Sequence, residues 1–206
     1  MGAGLIAVFV LWTVLVSVVD VRAIGPNGSS VGFATLNGYV HDLTGVNMRL
    51  YSITDWLGLV PIGVALGFAM LGFVQWIKRK SLFKVDRGIL ALGGFYVAVM
   101  AVYILFEIVV INYRPVLIDD YLEASYPSST TMLVMCVMPT AMMQLRASIK
   151  NNGLKHCVMI LIAAFTAFMV IGRLASGVHW ITDIIGGALV SAGLVITYAS
   201  VSDIHK

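Results

Sequence analysis

Charged residues are scarce in this chain: Lys, Arg, Asp and Glu make up 11% of its 206 residues, whereas 60% are hydrophobic. Soluble domains carry about a quarter charged residues, so the composition excludes an ordinary soluble domain. Cysteine is scarcer still, with Cys136 and Cys157 alone. Both fall in or at the edge of long apolar runs, which excludes a disulfide framework or a cysteine metal set and favours apolar packing.

Long apolar runs dominate what is present. Runs of roughly 20 apolar residues are long enough to cross a bilayer as helices, and we count six, at about residues 3–19, 56–76, 88–111, 130–145, 157–173 and 183–201. The sequence therefore predicts an all-α bundle of six transmembrane helices, forming a single integral membrane domain over residues 1–206. The first run lacks a basic start and is long for a signal-peptide core, which favours a retained helix over a cleaved signal.

The distribution of basic residues predicts the orientation of these helices. They cluster in two loops and at the C-terminus: Lys78, Arg79, Lys80, Lys84 and Arg87; Arg146, Lys150 and Lys155; and Lys206. Loops rich in Lys and Arg tend to lie in the cytoplasm, so both termini are predicted on the cytoplasmic side of the plasma membrane. We interpret the loop at 78–87 as a topology signal that also touches anionic headgroups, and a binding patch for anionic substrates is the alternative.

The polar stretch from Asp20 to Asp55 is the one long segment outside the apolar runs. Within it, apolar residues recur at roughly helical spacing between residues 31 and 43. This spacing predicts a short interfacial helix in the first extracytoplasmic loop. We favour simple packing beside the mouth of the bundle as its role, and shaping of a lipid entrance is the alternative.

Three short segments carry polar residues that suit a phosphate site. They read E-I-V-V-I-N-Y-R-P at 107–115, Y-P-S-S-T-T at 126–131 and G-R-L-A-S-G-V-H-W-I-T-D at 172–183. Each segment lies where an apolar run meets a polar loop. We therefore expect the three to converge at one membrane surface, which the charge distribution places on the extracytoplasmic side.

The residue types in these segments suit phosphate binding and nucleophilic catalysis, and each also has an ordinary structural explanation. The guanidinium of Arg114 matches two phosphate oxygens, although an arginine at a membrane surface is often simply paired with a carboxylate. Ser128 and Ser129 begin a helix, where hydroxyl and N–H groups form an anion site or an ordinary cap. His179 and Asp183 share a helical face, so the carboxylate can orient the imidazole as a nucleophile. A structural histidine or a metal ligand is the alternative there, and the scattered positions of the other three histidines disfavour the metal.

Together the segments resemble the tripartite signature of the type 2 phosphatidic acid phosphatase, or lipid phosphate phosphatase, family, which reads K-x6-R-P, P-S-G-H and S-R-x5-H-x3-D. The resemblance implies a membrane enzyme that dephosphorylates lipid phosphates through a phosphohistidine, with no metal and no other cofactor. It implies that His179 is the nucleophile and that Asp183 is the acid that orients it. The phosphate-binding residues that it implies are Arg114, Ser128, Ser129 and Arg173.

Four positions depart from this signature: Ser129 stands where it has glycine, Gly172 stands where it has serine, and Glu107 and Thr130 replace its lysine and second histidine. Glu107 occupies the position of the family's lysine, seven residues or about two helical turns before Arg114, and is expected on the same side. It either pairs with Arg114 or Arg173 as a structural clamp, or burial favours its protonated form as a proton donor. Thr130 occupies the position of the family's second histidine, the general acid, and a threonine hydroxyl is too weak an acid for that role.

The missing acid bears on the substrate. Loss of a general acid costs about 10² to 10⁴-fold in rate, and this penalty falls mainly on phosphate monoesters, whose alkoxide leaving group needs a proton. The sequence thus predicts a lipid diphosphate phosphatase acting on a polyprenyl diphosphate such as undecaprenyl diphosphate, within a membrane and without a nucleic acid partner. Two alternatives stay open: an impaired member that binds or transports phospholipid or polyprenyl phosphates, and a lipid phosphotransferase.

Overall fold

A computed structural model of the chain describes residues 1–202. Its helices are α1 (Gly2–Val18), α2 (Ala34–Thr44), α3 (Met48–Leu57), α4 (Leu59–Arg79), α5 (Arg87–Ile108), α6 (Ser129–Ser148), α7 (Asn152–Ala175) and α8 (Ile181–Val201). Within the described residues, strand-like pairing is limited to three isolated bridges, so the all-α prediction is confirmed. Lys206, one of the charges used to predict the orientation, lies outside the described residues.

Six helices coincide with the six predicted runs to within a few residues. Four segments are long and apolar enough to cross a membrane: Met48–Arg79, Arg87–Ile108, Asn152–Ala175 and Ile181–Val201. α1 is apolar but has 17 residues, and α6 carries polar side chains such as Gln144 and Arg146 that lower its mean hydropathy. The chain is therefore an integral membrane protein, and the count of six spans stays a prediction.

The segment before α4 differs from the sequence-based expectation. The sequence predicts one short helix in the polar stretch, at about residues 31–43, whereas residues Met48–Leu57 form a second one, α3. Gly58 has helical backbone angles, φ −59° and ψ −20°, so α3 runs on into α4. Asp55, the last residue of the polar stretch, lies on α3 and has an ion-pair partner on α7, Arg173. The sequence does not indicate this ion pair, because it forms only when α3 packs against α7.

α8 lies at the centre of the bundle, with α1 and α6 packed along it and α5 beside α6. The main core forms among these four helices and the segment before α6: Phe9, Val16, Leu92, Phe95, Val99, Tyr126, Met132, Cys136, Val190, Val195 and Tyr198. A second cluster between α6 and α7 contains Val134, Met138 and Met169. Both cysteines are free; Cys136 is buried in the main core, and Cys157 is exposed. α4 stays largely outside this core, which is typical of a helix whose apolar surface faces lipid.

The up-and-down course of the chain brings the three motif segments to one end of the bundle. α5 and α7 end there, α6 and α8 begin there, and the segment 109–128 crosses that end through two of the isolated bridges. α2 forms at the predicted stretch and packs on α8. The short helix is thereby confirmed, and its position in the membrane interface stays a prediction.

Candidate active site

His179 and Asp183 lie at the junction between α7 and α8. The turn between the helices contains Gly177 with φ +67°, a conformation that L side chains rarely adopt. A Cβ on Gly177 would also collide with the backbone carbonyl of Gly45, so the turn requires glycine. Both functional side chains are nearly inaccessible, and Nδ1 of His179 lies 3.7 Å from Oδ2 of Asp183. That is an ion-pair distance, but it is longer than a hydrogen bond.

Asp183 is held in place by other donors. The backbone N–H of Trp180 donates to its Oδ2 at 3.0 Å, and the side chain of Asn112 donates to its Oδ1 at 3.3 Å. The side-chain amide of Asn37 on α2 donates to the hydroxyl of the neighbouring Thr182 at 3.0 Å. Sequence reasoning missed both asparagines, because no spacing along the chain relates either one to Asp183.

Arg114 contacts the opposite edge of the imidazole. Its Nη1 lies 3.4 Å from Nε2 of His179, and its Nε lies 2.9 Å from Oε2 of Glu123. Burial of the ring, together with the charges of Arg114 and Arg173, holds the pKa of His179 well below its ordinary value of 6.5. The ring is therefore neutral at neutral pH. With the carboxylate of Asp183 on the Nδ1 side, we assign the proton to Nδ1, so that the Nε2 lone pair accepts the hydrogen bond from Nη1 of Arg114.

Arg173 in the last turn of α7 is 1% exposed. Its Nη1 lies 3.5 Å from Oδ1 of Asp55 and donates to the hydroxyl of Thr54 at 3.4 Å. Its Cζ lies 4.8 Å from the centroid of the Tyr51 ring, and the Cζ of Arg114 lies 5.9 Å from the same centroid. Tyr51 thus packs beneath both guanidinium groups, an arrangement that cation–π attraction favours. α3 contributes all three of these contacts, and sequence reasoning missed them.

The second motif forms the start of α6. The Oγ of Ser128 accepts a hydrogen bond from the N–H of Thr131 at 3.4 Å, so the capping interpretation describes the ligand-free protein. The N–H of Ser128 donates to the backbone carbonyl of Asp183 at 3.1 Å, which ties the start of α6 to the start of α8. Ser129 and Thr130 are half-buried in the first turn. The second motif therefore lies directly against the third.

Close packing at this junction depends on Gly186 of α8. A Cβ at this position would lie 2.6 to 2.9 Å from ring atoms of Tyr126. The hydroxyl of Tyr126 lies 2.8 Å from that of Thr13 on α1, so the ring is also fixed from its other end. A side chain on Gly186 would push the second motif away from the third.

Glu107 does not join the arginines. α5 ends at Ile108, so helical spacing does not relate Glu107 to Arg114. The recorded ion pairs of the two motif arginines go to Glu123 and Asp55 instead. Glu107 is exposed and lines a small cavity beside the second motif. The clamp alternative is therefore wrong, because the chain leaves the helix before it reaches Arg114. The burial that the proton-donor alternative requires is also absent, because Glu107 is exposed.

Four buried polar atoms around the site have no recorded hydrogen-bond partner among residues 1–202: Nε of Arg114, which has only its ion pair with Glu123, Nε of Arg173, Nδ1 of His179 and Oγ1 of Thr131. Buried polar groups are nearly always paired, so this concentration indicates unused capacity for a ligand. Two guanidinium groups around a neutral imidazole make an anion the ligand of matching charge.

Geometry thus defines an integral membrane protein with a buried Arg–His–Asp cluster at one end of a helical bundle. The family model of the PAP2 superfamily matches residues 62–205, and the chain belongs to that superfamily. The resemblance seen in the sequence is confirmed. The chain is also similar to the crystal structure of a protein described as the first transmembrane PAP2 type phosphatidylglycerolphosphate phosphatase from Bacillus subtilis.

That likeness extends over 100% of this chain and 97% of the other, with a TM-score of 0.57 and 19% sequence identity, so it concerns the fold. A comparison with curated proteins returns no match. The family model begins after α3, so Asn37, Tyr51, Thr54 and Asp55 join the site from outside the matched range.

Proposed function

We propose that the protein is a lipid phosphatase that hydrolyses lipid diphosphates, with a polyprenyl diphosphate as its preferred substrate. The observation that carries the proposal is the distance of 3.4 Å between Nη1 of Arg114 and Nε2 of His179. A terminal phosphoryl group bound by this guanidinium has its phosphorus next to the lone pair of Nε2. Phosphoryl transfer depends mainly on such positioning and on charge stabilisation.

In the proposed first step, Nε2 of His179 attacks the terminal phosphorus and an N–P bond forms. The P–O bond to the lipid breaks, and its electron pair leaves on the oxygen of the lipid monophosphate. The imidazolium that results is stabilised by the carboxylate of Asp183, as in other nucleophile–orienter pairs. Arg114 and Arg173 compensate the charge of the equatorial oxygens.

In the second step, water attacks the phosphorus of the phosphohistidine. The N–P bond breaks, the electron pair returns to Nε2, and inorganic phosphate is released. The proton lost by the water ends on the phosphate products. The net reaction consumes one lipid diphosphate and one water, and it forms one lipid monophosphate and one phosphate.

Thr130 supports a diphosphate over a monoester as the substrate. It lies in the first turn of α6, where the family signature has its proton-donating histidine. A lipid monophosphate is a weakly basic leaving group and departs without a proton, whereas an alkoxide does not. The cost of the missing acid, about 10² to 10⁴-fold, therefore falls on substrates such as phosphatidic acid.

The charge distribution supports an extracytoplasmic site with cytoplasmic termini. The basic loop 78–87 connects the ends of α4 and α5 that lie opposite to the motif segments. Positively charged loops favour the cytoplasmic side, so the motif end faces outward. The substrate is then a lipid of the outer leaflet.

A second candidate is a protein that binds lipid phosphates without turnover. The observation that favours it is the separation of 3.7 Å between His179 and Asp183, which leaves the imidazole without its orienting hydrogen bond. In this case Arg173 carries the affinity, and His179 is dispensable for binding.

Phosphate release from a polyprenyl diphosphate by the detergent-solubilised protein tests the proposal. We expect release that disappears in His179→Ala and that exceeds release from phosphatidic acid. Thr130→His should raise the rate on phosphatidic acid more than the rate on the diphosphate. Faster release from phosphatidic acid by the unmodified protein would contradict the substrate assignment. The second candidate would be supported if neither the unmodified protein nor Thr130→His released phosphate. In that case, the unmodified protein should bind the polyprenyl diphosphate saturably, and Arg173→Ala should abolish this binding.

A further inference from the structure

An apolar groove lies between α4 and α5, at the end of the bundle away from the candidate active site. It encloses about 440 Å³ and its walls include Phe68, Phe73, Trp76, Ile89 and Tyr96. α5 has 22 residues and is therefore about 33 Å long, and the motif segments follow its far end. The lining extends along α5 as far as Tyr96, and the remaining stretch of α5 to Ile108 spans about 18 Å, so the groove is separated from the candidate active site by roughly half of a bilayer core.

Glycines create the space in this groove. Gly93 and Gly94 of α5 line it, and a Cβ on either residue would meet no heavy atom within 4 Å. Gly72 of α4 lines the opposite wall, where a Cβ would lie 3.0 Å from Ile89. The groove is therefore open where Gly93 and Gly94 lack side chains, and one larger side chain on α5 would obstruct it.

The connecting loop between α4 and α5 closes one end of the groove through Leu82 and Val85. The same loop, residues 78–87, carries five basic side chains. One of them, Arg79, forms an ion pair with Asp86, with 2.7 Å between Nη1 and Oδ1. The other four are exposed and have no ion pair recorded within residues 1–202: Lys78, Lys80, Lys84 and Arg87. Phe83 in this loop is 95% exposed, as is typical of an aromatic side chain at the membrane interface.

We propose that this groove binds one acyl chain of an anionic phospholipid whose phosphate contacts the basic loop, in the leaflet opposite to the candidate active site. Charge complementarity identifies the occupant. The groove accepts a hydrocarbon chain, and the unpaired cations at its end select a negative headgroup. A second copy of this chain fits less well, because a symmetric contact would bring the two basic loops together. The lipid bound here is a structural ligand, distinct from the substrate.

Native mass spectrometry of the full-length protein, released from detergent, tests this inference. The probes are phosphatidylglycerol and phosphatidylcholine with identical acyl chains, added at equal concentrations. We expect at least fivefold more retained phosphatidylglycerol than phosphatidylcholine. Gly93→Leu should abolish the preference by obstructing the groove where the acyl chain would lie, whereas Gly67→Leu should retain it. Gly67 is a matched control because it lies on α4, outside the groove, and its Cβ also meets no atom within 4 Å.

A variant that removes two charges from the basic loop provides a second test if Gly93→Leu does not fold. Lys80 and Lys84 are exposed loop residues, so changing both to Gln leaves the packing of the helices intact. This pair should lose the preference for phosphatidylglycerol, and Lys150→Gln with Lys155→Gln in the other basic loop should not. Equal retention of the two lipids by the unmodified protein would overturn the inference, as would equal loss in both charge pairs. Because the readout is lipid binding, it is independent of whether the protein is an active phosphatase.

Discussion

Arg114 and His179 face each other at the site, with Nη1 of the guanidinium 3.4 Å from Nε2 of the imidazole. A second positive charge on the ring would be repelled at this distance, so the contact favours the neutral histidine. It also means that an anion bound by Arg114 would lie within reach of Nε2. One contact therefore serves both the proposed binding and the proposed chemistry.

Arg114→Lys tests whether the shape of the guanidinium matters as well as its charge. Lysine keeps the charge but loses the planar fork that binds two phosphate oxygens. We expect kcat/KM for lipid diphosphate hydrolysis to fall by about 10² to 10³-fold, as for the loss of one oxyanion donor. Arg49→Lys, an exposed arginine on α3, is the control and should retain activity. Equal activity of Arg114→Lys and the unmodified protein would mean that charge alone suffices.

Tyr51 tests the contribution of α3 to the site. Its ring lies beneath both guanidinium groups, and a cation–π contact is worth about 0.5 to 2 kcal/mol. Tyr51→Leu should therefore lower kcat/KM by about 2- to 30-fold, whereas Tyr51→Phe should restore most of the activity because it keeps the ring. Melting curves measured by circular dichroism for both variants check that a loss of kcat/KM does not reflect unfolding. Equal losses in Phe and Leu would show that the hydroxyl, and not the ring face, is what matters.

Asp55 pairs with Arg173 at 3.5 Å, and we expect it to compete with a phosphate ligand for this guanidinium. The carboxylate is 57% exposed, so the pair contributes at most about 1 kcal/mol. Asp55→Asn should accordingly lower the inhibition constant of inorganic phosphate by up to about fivefold. Asp42→Asn, an exposed acid on α2, is the matched control and should leave this constant unchanged. Weaker inhibition in Asp55→Asn would mean that Asp55 positions Arg173 instead of competing for it.

The pH dependence of kcat/KM follows from the lowered pKa of His179. A lowered pKa keeps the ring neutral and nucleophilic as the pH falls through 6.5, and protonation removes the nucleophile only at lower pH. The acid limb of the profile, which reports the free enzyme, should thus lie below pH 6.5. Titration of the substrate by phosphorus NMR in the same detergent separates its own ionisation from that of the enzyme. An acid limb above pH 6.5 that the substrate does not explain would contradict the assigned environment of His179.

The Glu107 position shows where sequence spacing fails. Counting seven residues to Arg114 assumes that α5 continues, but the helix ends at Ile108. Where a helix ends depends on what the following segment packs against, and here that segment pairs Tyr113 with Ala124. The sequence contains both residues without indicating their contact.

The sequence by itself determined that the protein is helical and lies in a membrane, because hydrophobicity is summed over about 20 adjacent residues. It also determined the family, through the residues around Arg114 and His179. Only the tertiary structure decided which carboxylates pair with the arginines, and that Tyr51 lies beneath them. Thr54 and Arg173 are 119 positions apart in the chain and meet at 3.4 Å. Contacts of this kind depend on how whole helices pack, and no local pattern encodes them.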